Sequence, residues 1–427
     1  MKQPFVKIVS RYLRWSCFSA LAGILAGLAA TIFLILLQWA TATRKAHPGL
    51  IWLLPLAGLV IGLVYHHYGR DVAGGNNLIL DEIHQPNKTI PVRMAPLILL
   101  GTVITHLFGG SAGREGTAVQ MGASLSDQLS SFFRVEPAER KILLAAGIGA
   151  GFGAAIGAPW AGAVFGMEVI QIGKLRLFAW FECLVASFAG YFVTLLLQAP
   201  HSVYPRVQNI DYEWKTWLLV IFFGSLCGIV AFSFAGLTHV VEALIGRSIR
   251  YPPLKPLVGG LLLLLFYRLE GSYLYAGLGI PVIQEALSTP PELQVPLLKG
   301  LFTALTLASG FKGGEFIPLV FIGTTFGSAV SVFFNISPPL LAAVGFSAVF
   351  AGAANTPIAC AIMAMEIFGP EIGGYAFAAC LSSYYFSGHK GIYKSQRAAA
   401  SKHHRFIALW KYVGERLNRF QERGKTE

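Results

Sequence analysis

Long runs of apolar residues recur along this chain, and they restrict its fold more than any other feature. Residues 15–40, 51–65, 217–234 and 340–365 are apolar runs of a length that suits bilayer spans. Only 13% of the residues are charged, whereas soluble domains average about 25%. Because lipid offers the backbone no hydrogen-bond partners, such segments are expected to be helical. The sequence therefore predicts an all-α polytopic membrane protein.

A repeat divides the chain into two halves. Residues 146–170 (AGIGAGFGAAIGAPWAGAVFGMEVI) and 344–368 (VGFSAVFAGAANTPIACAIMAMEIF) align without gaps when Pro159 is set on Pro357. Homologous halves are typical of transporters, in which broken helices from both repeats form the site near the bilayer midplane. We therefore expect two homologous halves with broken helices.

Charge and hydropathy divide the chain into five segments. We predict a cytoplasmic amphipathic helix at 1–14, a first membrane repeat at 15–198, a linker at 199–215, a second repeat at 216–393 and a basic cytoplasmic tail at 394–427. Basic residues concentrate at both ends, so the positive-inside rule places both termini in the cytoplasm. The balanced charges of the linker suit an extracellular position, which would invert the second half. Because the basic residues concentrate at the two ends, the net charge of +12 does not indicate binding to nucleic acid.

One stretch, residues 109–122 (GGSAGREGTAVQMG), places an acid between glycines at the start of an apolar helix. A carboxylate inside a membrane is costly, so Glu115 is a candidate functional residue. Gly113 and Gly116 leave backbone N–H groups open to a ligand, and the positive end of the helix dipole points to the same place. The stretch predicts an anion site beside a titratable carboxylate. A glycine-rich turn with a helix-capping Glu is the structural alternative.

Four short segments resemble the CLC family of chloride channels and anion/proton antiporters. Residues 113–116 (GREG) resemble its G-R/K-E-G-P motif, and residues 314–318 (GEFIP) resemble its G-x-F-x-P motif. Residues 75–79 (GNNLI) lie where the family usually has G-S-G-x-P, and Tyr393 lies where it carries an anion-binding tyrosine. The resemblance covers nearly the whole chain. It implies a homodimer in the bilayer with one anion path per subunit.

The departures from these motifs resemble the fluoride-exporting branch of the family. Asn76 stands for a Ser, Thr117 for a Pro, and Glu315 for a residue that is commonly apolar. The resemblance implies a fluoride/proton antiporter of the bacterial inner membrane. A chloride/proton antiporter and a passive chloride channel remain alternatives. Val169 lies where many antiporters have an inner proton-transfer Glu, and this leaves room for the channel.

Three helix starts, at Asn76, Glu115 and Phe316, are expected to converge on the anion. Each would bring unpaired N–H donors and the positive end of a helix dipole. The anion-binding residues that the resemblance implies are Asn76, Gly116, Phe316, Ile317 and Tyr393.

The resemblance also assigns roles to charged residues. Glu115 would occupy an anion position when ionised and move away when protonated, which makes it the gate and the proton acceptor. Glu315 would relay protons or contact the anion. The repeat alignment, rather than the resemblance, places Arg114 and Lys312 in equivalent positions. We expect them to form a positive vestibule for anions, with snorkelling of both side chains to the membrane surface as the alternative.

Other polar residues are given structural interpretations or none. Glu168 and Glu366 are symmetric in the repeat, and we interpret them as a structural pair; Glu182 receives no role. An intramembrane enzyme would need a nucleophile and a base, and only Ser111 with His106 offers one. On a helix these two side chains would point apart, so no enzyme is predicted. The five Cys residues lie singly, and no metal or cofactor is predicted.

Overall fold

The computed structural model of the chain describes residues 2–208, 210, 212–399 and 402, and for residues 2–10 it describes the backbone. The first eight helices are α1 (Lys2–Ala46), α2 (Leu54–Tyr68), α3 (Asn76–His84), α4 (Met94–Leu107), α5 (Glu115–Phe132), α6 (Pro137–Ile156), α7 (Pro159–Glu168) and α8 (Trp180–Leu196). The next eight are α9 (Trp214–Ser248), α10 (Leu254–Glu270), α11 (Ile280–Ala286), α12 (Gln294–Ala308), α13 (Phe316–Phe334), α14 (Pro338–Ala354), α15 (Pro357–Phe368) and α16 (Gly373–Phe386). Two short strands, β1 (Gln171–Ile172) and β2 (Arg397–Ala398), pair in parallel. The second eight helices follow the order of the first eight, as the repeat predicted.

Helices of very different lengths make up this membrane fold. Within the described residues, five helical segments are long and apolar enough to cross a bilayer: 11–46 in α1, 48–68 around α2, 177–196 around α8, α9 and α13. The apolar run 340–365 is divided between α14 and α15. The division lies at Asn355, whose φ of 59° is left-handed, and at Pro357, which lacks an N–H group to continue a helix. The expected broken helices are therefore present.

The described residues include the predicted N-terminal segment from residue 2 and most of the linker, but only part of the basic tail. Helix α1 runs from Lys2 to Ala46 without a break, so the backbone of 2–14 continues into the first span. The linker region lies between the end of α8 and the start of α9. Residue 1 and, of the predicted basic tail, residues 400, 401 and 403–427 lie outside the described residues.

The two repeats differ in register at the centre of the fold. Helices α5 and α13 begin at Glu115 and Phe316, three residues out of step with the alignment based on the two prolines. The register changes because α6 has 20 residues and α14 has 17. Arg114 and Glu315 therefore hold the same place, directly before the helix. The predicted equivalence of Arg114 and Lys312 is wrong.

Helices α7 and α15 join the two halves through reciprocal caps. Glu168, the last residue of α7, accepts hydrogen bonds from the N–H groups of Ile358 and Ala359 in the first turn of α15, at 3.1 and 2.8 Å. Glu366 near the end of α15 accepts two from the first turn of α7, at 3.0 and 2.8 Å. Each carboxylate thus meets the positive end of the other half's helix. This geometry agrees with the structural interpretation of the pair and with inverted halves.

Candidate functional site

A backbone bridge at the centre of the molecule brings the starts of α5 and α13 together. The N–H of Gly113 donates to the carbonyl of Gly314 at 2.6 Å, and the N–H of Gly314 donates back to Gly113 at 2.8 Å. A Cβ on Gly113 would lie 2.9 Å from that Gly314 oxygen, so the approach requires glycine. The first turns of both helices leave N–H groups without acceptors inside the helix.

Asn76, the first residue of α3, lies at the same place as the starts of α5 and α13, so three helix starts share one meeting point. A Cβ on Gly116 would lie 3.0 Å from the Cα of Gly314, 3.3 Å from Nδ2 of Asn76 and 3.8 Å from Oε2 of Glu315. The three helix starts therefore converge, as predicted from the sequence. Within the described part of the chain, Oδ1 of Asn76 has no hydrogen-bond partner. That oxygen is an acceptor, so an anion at this point would be contacted by Nδ2, the donor of the amide, which faces Gly116.

Glu115 lies at this point and is 1% exposed. Its Oε1 accepts a hydrogen bond from Nε of Arg114 at 3.2 Å, and its Oε2 accepts one from the Arg114 N–H at 3.3 Å. Nη2 of Arg114 in turn donates to Oγ of Ser202, which lies in the linker, at 3.2 Å. The Glu115 carboxylate is therefore held by a buried guanidinium that also contacts the linker.

Two cavities approach the meeting point from opposite ends of α2. Arg114 lines a cavity of about 680 Å³, together with Ile51, which precedes the first turn of α2. Lys312 and Glu315 line a cavity of about 150 Å³, together with Tyr65 in the last turn of α2. Arg114 and Lys312 therefore do not form one vestibule. Each lies on a different side of the site.

Most of the other predicted site residues line the smaller cavity or lie next to it. Asn76, Glu315 and Tyr393 all line it, and Nζ of Lys312 lies 3.9 Å from the centre of the Tyr65 ring. Phe316 and Ile317, in the first turn of α13, are buried beside it. The site thus has an acid on each side: Glu115 next to the larger cavity and Glu315 in the smaller one.

Comparison with known proteins agrees with this architecture. Residues 57–388 match the family described as voltage gated chloride channel. The chain belongs to this CLC family. A chloride/fluoride channel protein of Pseudomonas syringae pv. tomato is 46% identical, over 92% of this chain and 88% of that protein. The crystal structure of a CLC-type fluoride/proton antiporter has a TM-score of 0.88 and 32% identity, over 91% of this chain and 98% of that chain. A slow cyanobacterial Cl⁻/H⁺ antiporter shares the fold at 19% identity, with a TM-score of 0.78 over 89% and 96%.

In this CLC chain a short C-terminal segment holds Tyr393 at the site. Two residues further on, the N–H of Ser395 donates to Oδ1 of Asn77 in α3 at 3.1 Å. Nε2 of Gln396 donates to carbonyl oxygens at the ends of α7 and α14, both at 2.8 Å. The pairing of β1 with β2 extends this attachment. Both halves therefore position the tyrosine.

Two of the residues that depart from the CLC motifs have structural surroundings that limit their roles. Oγ1 of Thr117 lies 2.7 Å from Oγ1 of Thr102 in α4, so this hydroxyl joins two helices. Val169 lines a small apolar pocket with Phe165 and Tyr393. No titratable group therefore stands at the position of the usual inner Glu.

The pair considered for an enzyme is occupied elsewhere. Both ring nitrogens of His106 lie near carbonyl oxygens, 2.8 Å from that of Thr102 and 3.0 Å from that of Ala112. Oγ of Ser111 lies 2.9 Å from Oγ1 of Thr303. Helix α4 ends before Ser111, so the two residues do not share a helix as the sequence argument assumed. His106 and Ser111 therefore use their polar atoms on other partners and do not form a nucleophile–base pair.

Several residues near the site were not found from the sequence. Ser202 is one hydroxyl in a polar linker, and only the fold brings it to Arg114. Arg44 lies four residues after a long apolar run, and the sequence gives no sign that it is buried and lines the larger cavity. Its position near the end of the apolar run does not set it apart, because the ends of spans commonly carry basic residues.

Proposed function

We propose that the chain is a secondary-active fluoride/proton antiporter that exports fluoride across the bacterial cytoplasmic membrane. The observation that carries the proposal is the buried Glu115 carboxylate at the point where the starts of α3, α5 and α13 meet. The names of two similar proteins, one a chloride/fluoride channel protein and one a fluoride/proton antiporter, support the choice of anion.

The gate in this proposal is the Glu115 side chain. Ionised, it competes with the anion for the N–H groups of the first helical turns and pairs with Arg114, as described above. Protonated, it no longer carries the charge that these groups attract, and it moves aside for the anion. Exchange of an anion for the carboxylate therefore couples anion movement to protonation.

The anion site consists of donors without a fixed positive charge at its centre. Backbone N–H groups of Gly116, Phe316 and Ile317 supply helix-start donors, and Asn76 and Tyr393 supply side-chain donors. Fluoride is small and strongly hydrated, so replacing its water requires several donors at short range. The convergence of three helix starts within a few ångströms of Gly116 supports this role.

Protons would leave the site through Glu315. Its Oε2 would lie 3.8 Å from a Cβ on Gly116, the residue next to the gate, and its side chain lines the smaller cavity. Val169 cannot carry protons, so a route through Glu315 replaces the usual inner glutamate. Lys312 in the same cavity would attract anions to it.

We further propose that the protein acts as a homodimer with both termini in the cytoplasm, and that it catalyses no chemical reaction. Large exposed apolar residues on α8, such as Trp180 and Phe192, support a contact at this face. The small residues of α7 pack against α6 and α8 within the subunit, as Gly162 and Gly166 do, and they do not contribute to it.

The decisive experiment is fluoride efflux from liposomes with the internal and external pH recorded together. We expect a fluoride gradient to drive protons uphill in the wild type, and Glu115→Gln to abolish proton movement because Gln cannot titrate. Glu285→Gln, at an exposed carboxylate, is the matched control and should keep full coupling. Proton pumping by the Glu115→Gln variant would refute the assignment of the gate.

A passive anion channel is the second candidate, and the apolar Val169 favours it. The same liposomes distinguish the two functions. A channel would conduct fluoride or chloride down its gradient and would leave an opposing proton gradient unchanged. Replacement of fluoride by chloride in the assay tests the chloride/proton alternative.

A further inference from the structure

The larger cavity exceeds what a halide requires. Its volume is about 680 Å³, which falls in the range of small-molecule sites, roughly 300–1,000 Å³. Its walls are largely apolar and come from α1, the linker and the chain around the start of α11. Three basic side chains line it, and no Asp or Glu does so in the described part of the chain. These lining residues include Leu34, Leu37, Arg44, Lys45, Arg114 and Leu278.

Arg44 is the unusual member of this lining. It is 8% exposed, and its Nε has no hydrogen-bond partner among the residues that the structure describes. No carboxylate in the same described ranges forms an ion pair with it. A Cβ on Gly277 would lie 3.1 Å from its Nη2, so the guanidinium lies against the backbone of that loop. Arginine stays charged in proteins, and a buried charge without a partner is costly. Arg44 therefore carries a buried charge for which an anionic group would be a suitable partner.

The two neighbouring basic residues, Lys299 and Arg114, have partners of their own. Lys299 is fully buried, and its Nζ donates to the carbonyl oxygens of Tyr275 and Gly277 at 3.1 and 2.7 Å. Arg114 already uses the Glu115 carboxylate. Neither side chain offers Arg44 a negative charge, so an anion in the cavity would supply its counter-charge.

We propose that this cavity binds an amphiphilic anion, with a sulfonate, carboxylate or phosphate head on Arg44 and an apolar body against the more exposed apolar residues of the lining, such as Leu274 and Leu278. A guanidinium suits such heads because its planar N–H groups can form two parallel hydrogen bonds to them. The bound molecule lies beside Arg114 and obstructs the approach to Glu115 from this side. The inference goes beyond the proposed function, because binding requires no particular transported ion.

The first test measures binding of octanesulfonate to the purified full-length protein by titration calorimetry. A sulfonate stays ionised, so it cannot carry protons across the membrane as a weak acid would. We expect Arg44→Gln to weaken binding by about ten- to hundredfold, the effect of losing a hydrogen bond to a charged group. Arg44→Lys should restore part of it. Arg247→Gln removes the same charge from an exposed position near the end of α9, outside the lining of the cavity, and should change binding by less than about threefold. No binding to the wild type, or equal loss in the two Gln variants, would overturn the proposal.

A second measurement remains informative if Arg44→Gln fails to fold. A photoreactive alkyl sulfonate is crosslinked to the wild type, and the labelled peptides are identified by mass spectrometry. Labels near residues 34–45 or 273–282 support the site. Labels confined to other segments would refute it.

Two lipid compositions distinguish a soluble ligand from a membrane lipid. Fluoride efflux is measured with external octanesulfonate in phosphatidylcholine vesicles, with and without phosphatidylglycerol, for the wild type and Arg44→Gln. Equal inhibition of the wild type in both vesicles indicates a soluble anion. Weaker inhibition with phosphatidylglycerol indicates that the lipid phosphate competes for Arg44. Inhibition that persists unchanged in Arg44→Gln would contradict the site.

Discussion

Asn76 is the residue at which anion selectivity can be tested most directly. Its amide offers two N–H groups where the Ser of the chloride branch offers one O–H, and its Nδ2 faces Gly116. A hydrogen bond to an ion contributes about 1.5–3 kcal/mol, so Asn76→Ser should lower the fluoride preference by about ten- to hundredfold. The fluoride-to-chloride flux ratio in liposomes measures this. Asn87→Ser, in an exposed loop, should keep the wild-type ratio. An unchanged ratio in Asn76→Ser would place selectivity elsewhere.

Gly116 tests the close approach of the three helix starts. A Cβ there would lie 3.0 Å from the backbone Cα of Gly314 and 3.3 Å from Asn76 Nδ2. The backbone cannot move aside as a flexible side chain can, and overpacking of this kind costs about 1–3 kcal/mol. We expect Gly116→Ala to stop fluoride transport. Gly49→Ala is the matched control, since nothing lies within 4 Å of its added Cβ. Normal flux in Gly116→Ala would mean that the site is looser than described.

At this scale the sequence predicted that the three helix starts meet, but it wrongly joined Arg114 with Lys312 and did not predict which partners hold the side chains. Glycines flanking a lone acid in an apolar chain indicated Glu115 and its neighbours. The hydrogen bond from Arg114 to Ser202 could not be predicted, because it depends on the path of a linker without regular structure. Arg44 was missed for the same reason: burial of an arginine at the end of a span is a property of packing.

At the scale of elements, the reciprocal caps of α7 and α15 should stabilise the junction between the halves. Each Glu accepts two N–H groups at 2.8–3.1 Å, and hydrogen bonds to charged groups contribute about 1.5–3 kcal/mol. Glu168→Gln and Glu366→Gln should therefore lower the melting temperature in detergent by similar amounts. Glu285→Gln, which is exposed, should leave it unchanged. A melting temperature unaffected by both substitutions would show that the caps do not stabilise the fold.

The repeat predicted the order of the helices but not their register. The proline-based alignment holds for α7 and α15, and it fails for α5 and α13 because α6 is longer than α14. The length difference lies in segments rich in Gly and Ala, where one register resembles the next. The sequence therefore aligned Arg114 with Lys312, whereas helix starts align Arg114 with Glu315. The choice between these two alignments requires the positions of the helix ends in the structure.

At the scale of the whole molecule, every residue proposed to gate or bind the anion belongs to one chain. The three helix starts, Glu315 and Tyr393 meet within that chain, and both cavities are lined by its own residues. A homodimer would then contain two independent paths, related by two-fold symmetry. A heterodimer of one wild-type subunit and one Glu115→Gln subunit should retain one coupled path of the two, with about half the coupled proton flux of the wild type. Differently tagged subunits, purified in tandem and reconstituted, allow this measurement against both homodimers. Complete loss of coupling in the heterodimer would mean that the paths depend on one another, and a molecular mass in lipid that corresponds to a single chain would contradict the dimer itself.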